Sequence, residues 1–323
     1  MDNNIFDVIV IGGGPAGLTA GIYLGRGKMS TLILNEGTAG GQMVLTHEVA
    51  NYPGVENISG YQLSNIMKNQ AKKFGCIIRS NIKITKLDLK EGIKSVEVNH
   101  KDIYKAYSVI LATGGRSRTL HVPGEENFKG KGISYCATCD GDFFLDKNII
   151  VVGGGNSALE EAVSLTKYAA SVTVVHQFDH FQASNHAVEE AVKNDKIRFI
   201  MESHITEFSG EEGLQGVVIE NIKTNEITTM KIDGVFIFIG YEPNTEILKG
   251  IIELNKGNEI ITKDNLETNI PGVFAAGDAV VKKYRQITTA VADGTVAALS
   301  AMEYINKTKE RKKIKVQDQV QVD

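Results

Sequence analysis

The 323-residue sequence predicts an α/β fold of parallel sheets covered by helices on both faces, with one unit inserted into another. Two observations carry this. First, DVIVIGGGPAGLTA (7–20) is echoed by NIIVVGGGNSALEE (148–161). Each is a β-branched run, then a glycine cluster, then an Ala/Leu/Glu-rich stretch at helical spacing. Second, the runs SVILATGG (108–115), GVFIFIGYEPNT (234–245) and GVFAAGDAV (272–280) alternate with helix-like stretches such as QITTAVADGTVAALSAMEYI (286–305). Strands that alternate with helices imply parallel sheets. The run at 272–280 resembles neither unit's start, so it belongs to the first unit and the second is inserted. The expected division is 1–117 with 246–310, then 118–245, with linkers near 117–121 and 243–247 and a polar tail over 311–323.

In the first unit, Gly12, Gly14 and Gly17 stand at the G-x-G-x-x-G spacing of a Rossmann-like dinucleotide loop. Gly12 allows the tight turn, Gly14 lets backbone amides approach a pyrophosphate, and Gly17 lets helix pack on strand. The helix N-terminus then faces the negative charge. STLILNE places Glu36 at the end of the second strand, where an acid bonds a free ribose 2′-hydroxyl and repels a 2′-phosphate. This site therefore suits FAD or NAD rather than NADP.

In the second unit, Gly153 and Gly155 hold the first two loop positions and Ala158 the third. Its second strand, SVTVVHQ, ends at His176 and Gln177, followed by Asp179 and His180. Neither the acid that favours NAD nor the arginine that favours NADP is present.

Cys136 and Cys139 form a C-x-x-C followed by Asp140. A zinc site would need two more ligands, and the spacing of His176, His180 and His186 belongs to no zinc pattern, so no metal is expected. An inert structural pair is a second reading. A redox disulfide fits best, because adjacent thiols exchange readily once one ionises. Asp140 then serves as a general acid for the leaving thiolate, or else is a turn residue before Gly141. Cys76 lies in the apolar run FGCII and reads as core.

Composition narrows the function classes. Thirty-five Lys and Arg against 39 Asp and Glu give a net charge of −4, which offers no general attraction for nucleic acid or anionic lipid. Hydrophobic residues at 42% and charged residues at 23% are those of a folded globular protein. No apolar run reaches the ~20 residues that cross a bilayer, and MDNNIFDVIV lacks a basic leader region. Three cysteines are too few for a secreted disulfide framework, so a cytoplasmic location is expected.

With two nucleotide units and C-A-T-C-D in the second, the sequence resembles the low-molecular-weight bacterial thioredoxin reductases from about residue 5 to 305. GGQM (40–43), EVANYPG (48–54), ATGG (112–115), VPGE (122–125), AAGD (275–278) and RQI (285–287) extend the resemblance. It implies FAD on the outer unit, a pyridine nucleotide (NADH or NADPH) on the inserted one, a homodimer, and a thioredoxin-like partner. It also implies an inserted unit that rotates, since the thiols cannot meet a flavin and an external protein at once.

By position, the resemblance implies that Gly12, Gly14, Pro15, Ala16 and Gly17 cradle the flavin pyrophosphate and that Glu36 holds the adenosine ribose. Gly41, Gln42, Asn51, Thr113, Gly114 and Gly277 belong to the same flavin site; Asp278 bonds the ribityl or pyrophosphate portion, and Arg285, Gln286 and Ile287 lie near the isoalloxazine. Cys139 is the thiol that meets the flavin and Cys136 the one that attacks thioredoxin. Gly153, Gly155, Asn156, Ser157, Ala158 and His176 are assigned to the pyridine nucleotide.

The departures lie in the second unit. NADPH-using members carry His-Arg-Arg and an arginine four residues on; here the segment is His176-Gln177-Phe178-Asp179-His180-Phe181-Gln182. Asn156 also stands where an aspartate is usual. Losing two or three arginine–phosphate contacts, at about 1.5–3 kcal/mol each, disfavours NADPH. The alternatives are the same relay driven by NADH or ferredoxin, a small-molecule dithiol oxidase, and a nucleotide-sensing flavoprotein without turnover.

Overall fold

A computed structural model describes residues 5–46, 49–90 and 92–320; Glu48 and tail residues 321–323 lie outside it, as do the side chains of residues 45 and 309–320. The chain divides into two compact units, 1–116 with 242–323, and 117–241. The boundaries fall slightly before the expected 117/118 and 245/246. The crossing segments, Gly115–Ser117 and Tyr241–Pro243, are themselves strands that pair in a two-stranded ribbon.

The first unit is built on a seven-stranded sheet. Ile77–Arg79, Thr31–Leu34, Ile5–Ile11 and Asp102–Leu111 lie side by side and parallel, and Val273–Ala275 adds parallel to the far end of Asp102–Leu111. Lys94–Val98 and Ile84–Asp88 extend the sheet as antiparallel strands. Val10 pairs with Ile110 and Ile110 with Phe274, so the late strand joins the early ones as the inserted arrangement requires. Val8 to Ile11, Thr31 to Leu34 and Val109 to Leu111 are buried, as expected for strands covered on both faces. Each such apolar side chain contributes about 1.5–3 kcal/mol. An exposed pair such as Lys193–Glu189 contributes about 0.5 kcal/mol at most, so the apolar strand runs hold the fold.

The helix Pro15–Arg26 starts with Pro15 in its first turn, where the missing N–H costs nothing. It is buried on nearly every side, and the long helix Ile287–Val320 packs against it. The contact is close because Gly294 carries no side chain: a Cβ there would stand 2.2 Å from the Ala16 carbonyl oxygen.

The second unit holds a five-stranded parallel sheet in the order Ile197–Ile200, Ser171–Val175, Asn148–Val152, Gly234–Ile237, Ile133–Ser134. A three-stranded antiparallel sheet, Ser203–Gly210, Leu214–Asn221 and Ile227–Lys231, accompanies it. No helix among the described residues is long and apolar enough to cross a membrane.

Candidate functional site

The first glycine loop shows three distinct reasons for glycine. Gly12 has φ +110°, and a Cβ on it would lie 2.0 Å from the Ala112 carbonyl oxygen. A Cβ on Gly17 would lie 1.9 Å from the Gly12 carbonyl oxygen, so helix and loop touch there through backbone alone. Gly14 differs: a Cβ would meet only Gly41 Cα at 3.8 Å, leaving an open face at the helix N-terminus with no side-chain cap. That end carries partial positive charge and unbonded amides, which suits a pyrophosphate.

The rest of the loop is braced from the second strand. Asn35 Oδ1 accepts the Gly13 N–H at 2.8 Å, and Gly40 N–H donates to the Gly13 carbonyl at 2.7 Å. Glu36 is exposed, and its Oε1 accepts the Ile84 N–H at 3.0 Å, which holds the carboxylate at the strand end. Gly41 opens a 3-10 turn, Gly41–Leu45, in which Gln42 is exposed. Asn51 Nδ2 donates to Gln286 Oε1 at 3.4 Å, so residues 235 positions apart meet.

Thr113 has a buried hydroxyl with no hydrogen-bond partner among the described residues, while its carbonyl accepts the Asn244 amide at 3.0 Å. An orphaned buried polar atom beside an open glycine loop fits a bound cofactor. Gly114 and Gly277 both have positive φ, and the Gly277 N–H donates to Asp293 Oδ2 at 2.9 Å. Asp293 also pairs with Lys282. Burial holds the Asp278 carboxyl above its usual range, opposed by Lys282 and Arg285. Arg285 pairs with Glu259, and its Nε donates to the Asp278 carbonyl at 3.4 Å; Gln286 and Ile287 lead into the last helix. Asn35, Asp293 and Glu259 were not legible as site residues, since each acts on the backbone or on a neighbour from a distant stretch of chain.

Cys136 and Cys139 are joined as a disulfide across the short helix Ala137–Asp140. Ser134, buried at the end of strand Ile133–Ser134, braces this pair. Its Oγ accepts the Cys136 N–H at 3.0 Å and donates to Asp140 Oδ2 at 2.5 Å. Burial holds Asp140 above the usual carboxylate range, helped by Asp142 and opposed by the Ser134 bond. Burial that favours the protonated carboxyl suits Asp140 to the role of an acid in thiol exchange. The sequence signal for Ser134 was only its place two residues before Cys136.

In the second loop, Gly153 has φ +135° and its Cβ would stand 2.4 Å from the Phe238 carbonyl oxygen, while a Cβ on Gly155 meets nothing within 4 Å. Gly155 therefore repeats the open position of Gly14. Asn156 Oδ1 accepts the Ser184 N–H at 2.7 Å, Ser157 is exposed, and Ala158 is fully buried. His176 is only 5% exposed. It stacks on Phe181 and lies beneath Gly154, and its Nε2 lies 3.1 Å from the His180 carbonyl. Burial lowers its pKa, which favours the neutral ring, and because a carbonyl can only accept, Nε2–H donates that bond. His176 thus supports the loop from below. Gln177, Phe178, Asp179, His180 and Gln182 are the exposed residues of the segment. Asp179 is paired with His180 at 2.7 Å, and Lys223, which acts on Asp179, is itself paired with Glu202. No group of three metal-ligating side chains occurs among the described residues.

Residues 6–294 match the family described as pyridine nucleotide-disulphide oxidoreductase. The chain is 48% identical over 299 residues, 93% of its length and 97% of the relative's, to the "34.2 kDa protein in rubredoxin operon" of Clostridium pasteurianum. It is 46% identical over 309 residues to a thioredoxin reductase of Peptoclostridium acidaminophilum, covering 94% of this chain and 98% of that one. Among solved structures, the thioredoxin reductase of Streptococcus pyogenes MGAS5005 superposes with a TM-score of 0.91 at 41% identity, covering 95% of this chain and all of that one.

Proposed function

For a chain that belongs to the pyridine nucleotide-disulphide oxidoreductase family and is a flavin-dependent disulfide oxidoreductase of the thioredoxin reductase type, we propose that electrons reach the Cys136–Cys139 disulfide from a donor other than NADPH. One observation carries the reading: residues 176–182 hold no Lys or Arg, and Asp179 takes the local His180 as its partner. A 2′-phosphate would meet an acid and aromatic rings instead of guanidinium forks.

The chain's own residues divide the work. The Gly14 backbone at the helix N-terminus, Glu36 at the strand end and the Thr113 hydroxyl would hold FAD in the first unit. When bound, the flavin supplies hydride chemistry that no side chain offers. The open Gly155 loop receives a pyridine nucleotide, with NADH favoured over NADPH.

Outgoing transfer is a dithiol–disulfide exchange with thioredoxin. The Cys136 thiolate attacks one sulfur of the partner disulfide, forming a mixed disulfide. The partner's S–S bond breaks, and its electron pair leaves on the second sulfur, which takes the Asp140 proton. The Cys139 thiolate then attacks Cys136 Sγ, closes the internal disulfide and releases the partner's other sulfur, protonated from solvent. The enzyme dithiol is oxidised and the partner disulfide reduced by one electron pair. The protein is read as a homodimer working in the cytoplasm.

Anaerobic titration of the FAD-loaded chain with NADPH, NADH and reduced ferredoxin, followed by oxidised thioredoxin, tests both ends. NADPH is expected to leave the flavin absorbance unchanged at concentrations where a competent donor bleaches it. Fast, tight reduction by NADPH alone would overturn the donor assignment.

A further inference from the structure

Three hydrogen bonds tie Ser134 and Asp140 to the Cys136 end of the redox motif. The Cys136 N–H donates to Ser134 Oγ at 3.0 Å, and that hydroxyl donates to Asp140 Oδ2 at 2.5 Å. The Asp140 N–H returns to the Cys136 carbonyl at 3.2 Å, the carbonyl that also lies 3.3 Å from Ser134 Oγ. Ser134 has one hydroxyl proton, and the shorter contact assigns it to the carboxyl.

We propose that Ser134 is a positioning residue for thioredoxin reduction: its hydroxyl orients the Asp140 carboxyl against the Cys136 end of the redox loop. The proposal rests on the reading of Asp140 as the acid of the exchange. Three features of the placement argue for it. Ser134 belongs to a strand, paired through Phe236 to the parallel sheet, so it is fixed independently of the Cys136–Cys139 loop. It is 5% exposed, which shields its bond to the carboxyl from competing water. It also occupies both the Cys136 amide and the Asp140 carboxyl, so one side chain orients both ends of the motif.

The charged neighbour acting on Asp140 is Asp142, which works in the same direction as burial and raises it; the Ser134 hydroxyl is the opposing influence. Removing that hydroxyl therefore favours the protonated carboxyl further while freeing it to rotate. An acid-dependent rate falls as pH rises through the acid's pKa. In Ser134→Ala this alkaline fall is expected at higher pH than in the parent, with the plateau rate about tenfold lower from lost orientation. Ser134→Thr keeps the hydroxyl and is expected to restore the parent profile.

The experiment uses the full-length FAD-loaded protein, reduced stoichiometrically with dithionite and mixed with oxidised thioredoxin in a stopped-flow instrument across about pH 6–10. Unchanged flavin content and thermal midpoint check that each variant is folded. An upward shift in Ser134→Ala that Ser134→Thr reverses supports the proposal. A uniform rate loss with the alkaline fall unmoved overturns it and leaves Ser134 a structural residue. Asp140→Asn separates the two readings. If it abolishes the fall while Ser134→Ala leaves it in place, only the serine's role fails. If it retains the parent fall, the acid assignment fails, and the serine's role with it.

Discussion

Glu125 Oε1 accepts the Tyr135 hydroxyl at 2.8 Å, one residue before Cys136. The same carboxylate accepts the backbone N–H groups of Leu120 at 3.0 Å and His121 at 2.7 Å, and Glu125 is only 2% exposed. His121 has φ +59°, a left-handed backbone that non-glycine residues adopt at a cost. One buried acid therefore secures the entry segment of the second unit and the approach to the disulfide. Glu125→Ala leaves three donors unsatisfied and is expected to cost about 3 kcal/mol or more. Tyr135→Phe removes a single bond and should cost about 1 kcal/mol. Urea denaturation of both variants compares them; equal losses would show that the backbone contacts contribute little.

The two open and closed glycines of the first loop should separate folding from cofactor binding. Gly12→Ala forces a Cβ against the Ala112 carbonyl in a left-handed region and is expected to destabilise the protein by about 3 kcal/mol. Gly14 has φ −77° and ψ −174°, which alanine adopts freely, and its Cβ would face open space. Gly14→Ala should change apoprotein stability by less than about 1 kcal/mol. It should weaken FAD by at least about tenfold, because a methyl then separates phosphate from the amides. Urea melts of the apoprotein and flavin-fluorescence titrations read the two effects. Unimpaired FAD binding by Gly14→Ala would move the pyrophosphate away from this loop.

The three cysteines should differ sharply in reactivity. Cys76 is buried against Gly21, whose carbonyl accepts its thiol at 3.0 Å, and burial pushes its pKa up to about 11. The thiolate is the reactive form, so at pH 8 Cys76 stays protonated and shielded. After reduction, iodoacetamide is expected to label Cys136 and Cys139 but not Cys76 in the native protein, with the third site appearing in denaturant. Peptide mass mapping reads the sites. Labelling of Cys76 at a rate comparable to the redox pair would show that this region opens readily.

What was legible in the sequence follows the range of each interaction. The glycine loops, Glu36 and the Cys136–Cys139 pair announce themselves because short motifs with fixed spacing carry their chemistry. The insertion was legible because the run at 272–280 resembles neither unit's start, and in the structure Val273–Ala275 pairs with Asp102–Leu111 of the first unit. His176 shows the limit. Its position at the strand end suggested a nucleotide contact, whereas its ring lies under Gly154 and stacks on Phe181, a matter of rotamer and packing that spacing does not encode. Lys94 shows it again: a lysine at 0% exposure, set over the Tyr304 ring at 5.5 Å, depends on a helix more than 200 positions away. Ser134 and Asn35 escaped notice because single polar residues beside a motif look like any loop residue until their acceptors are placed.

The donor assignment admits a gain-of-function test. Gln177, Phe178 and Gln182 are exposed, so arginine at each can be accommodated at little cost to the fold. They are also the positions that the family resemblance matches to the arginines of NADPH-using members. The triple variant Gln177→Arg, Phe178→Arg, Gln182→Arg adds up to three charge-assisted contacts to a 2′-phosphate, each contributing about 1.5–3 kcal/mol before Asp179 repulsion is counted. NADPH affinity is expected to rise by at least about tenfold, and NADH affinity to change little, because NADH lacks the group that the arginines grip. Equilibrium titration of both nucleotides against the FAD-loaded variant gives the ratio, and raised salt should erode the NADPH gain selectively. If the three arginines leave NADPH binding where it was, the missing cations are not what limits it. The obstacle would then lie in the Gly153–Ala158 loop itself, where Asn156 is already engaged by the Ser184 amide at 2.7 Å.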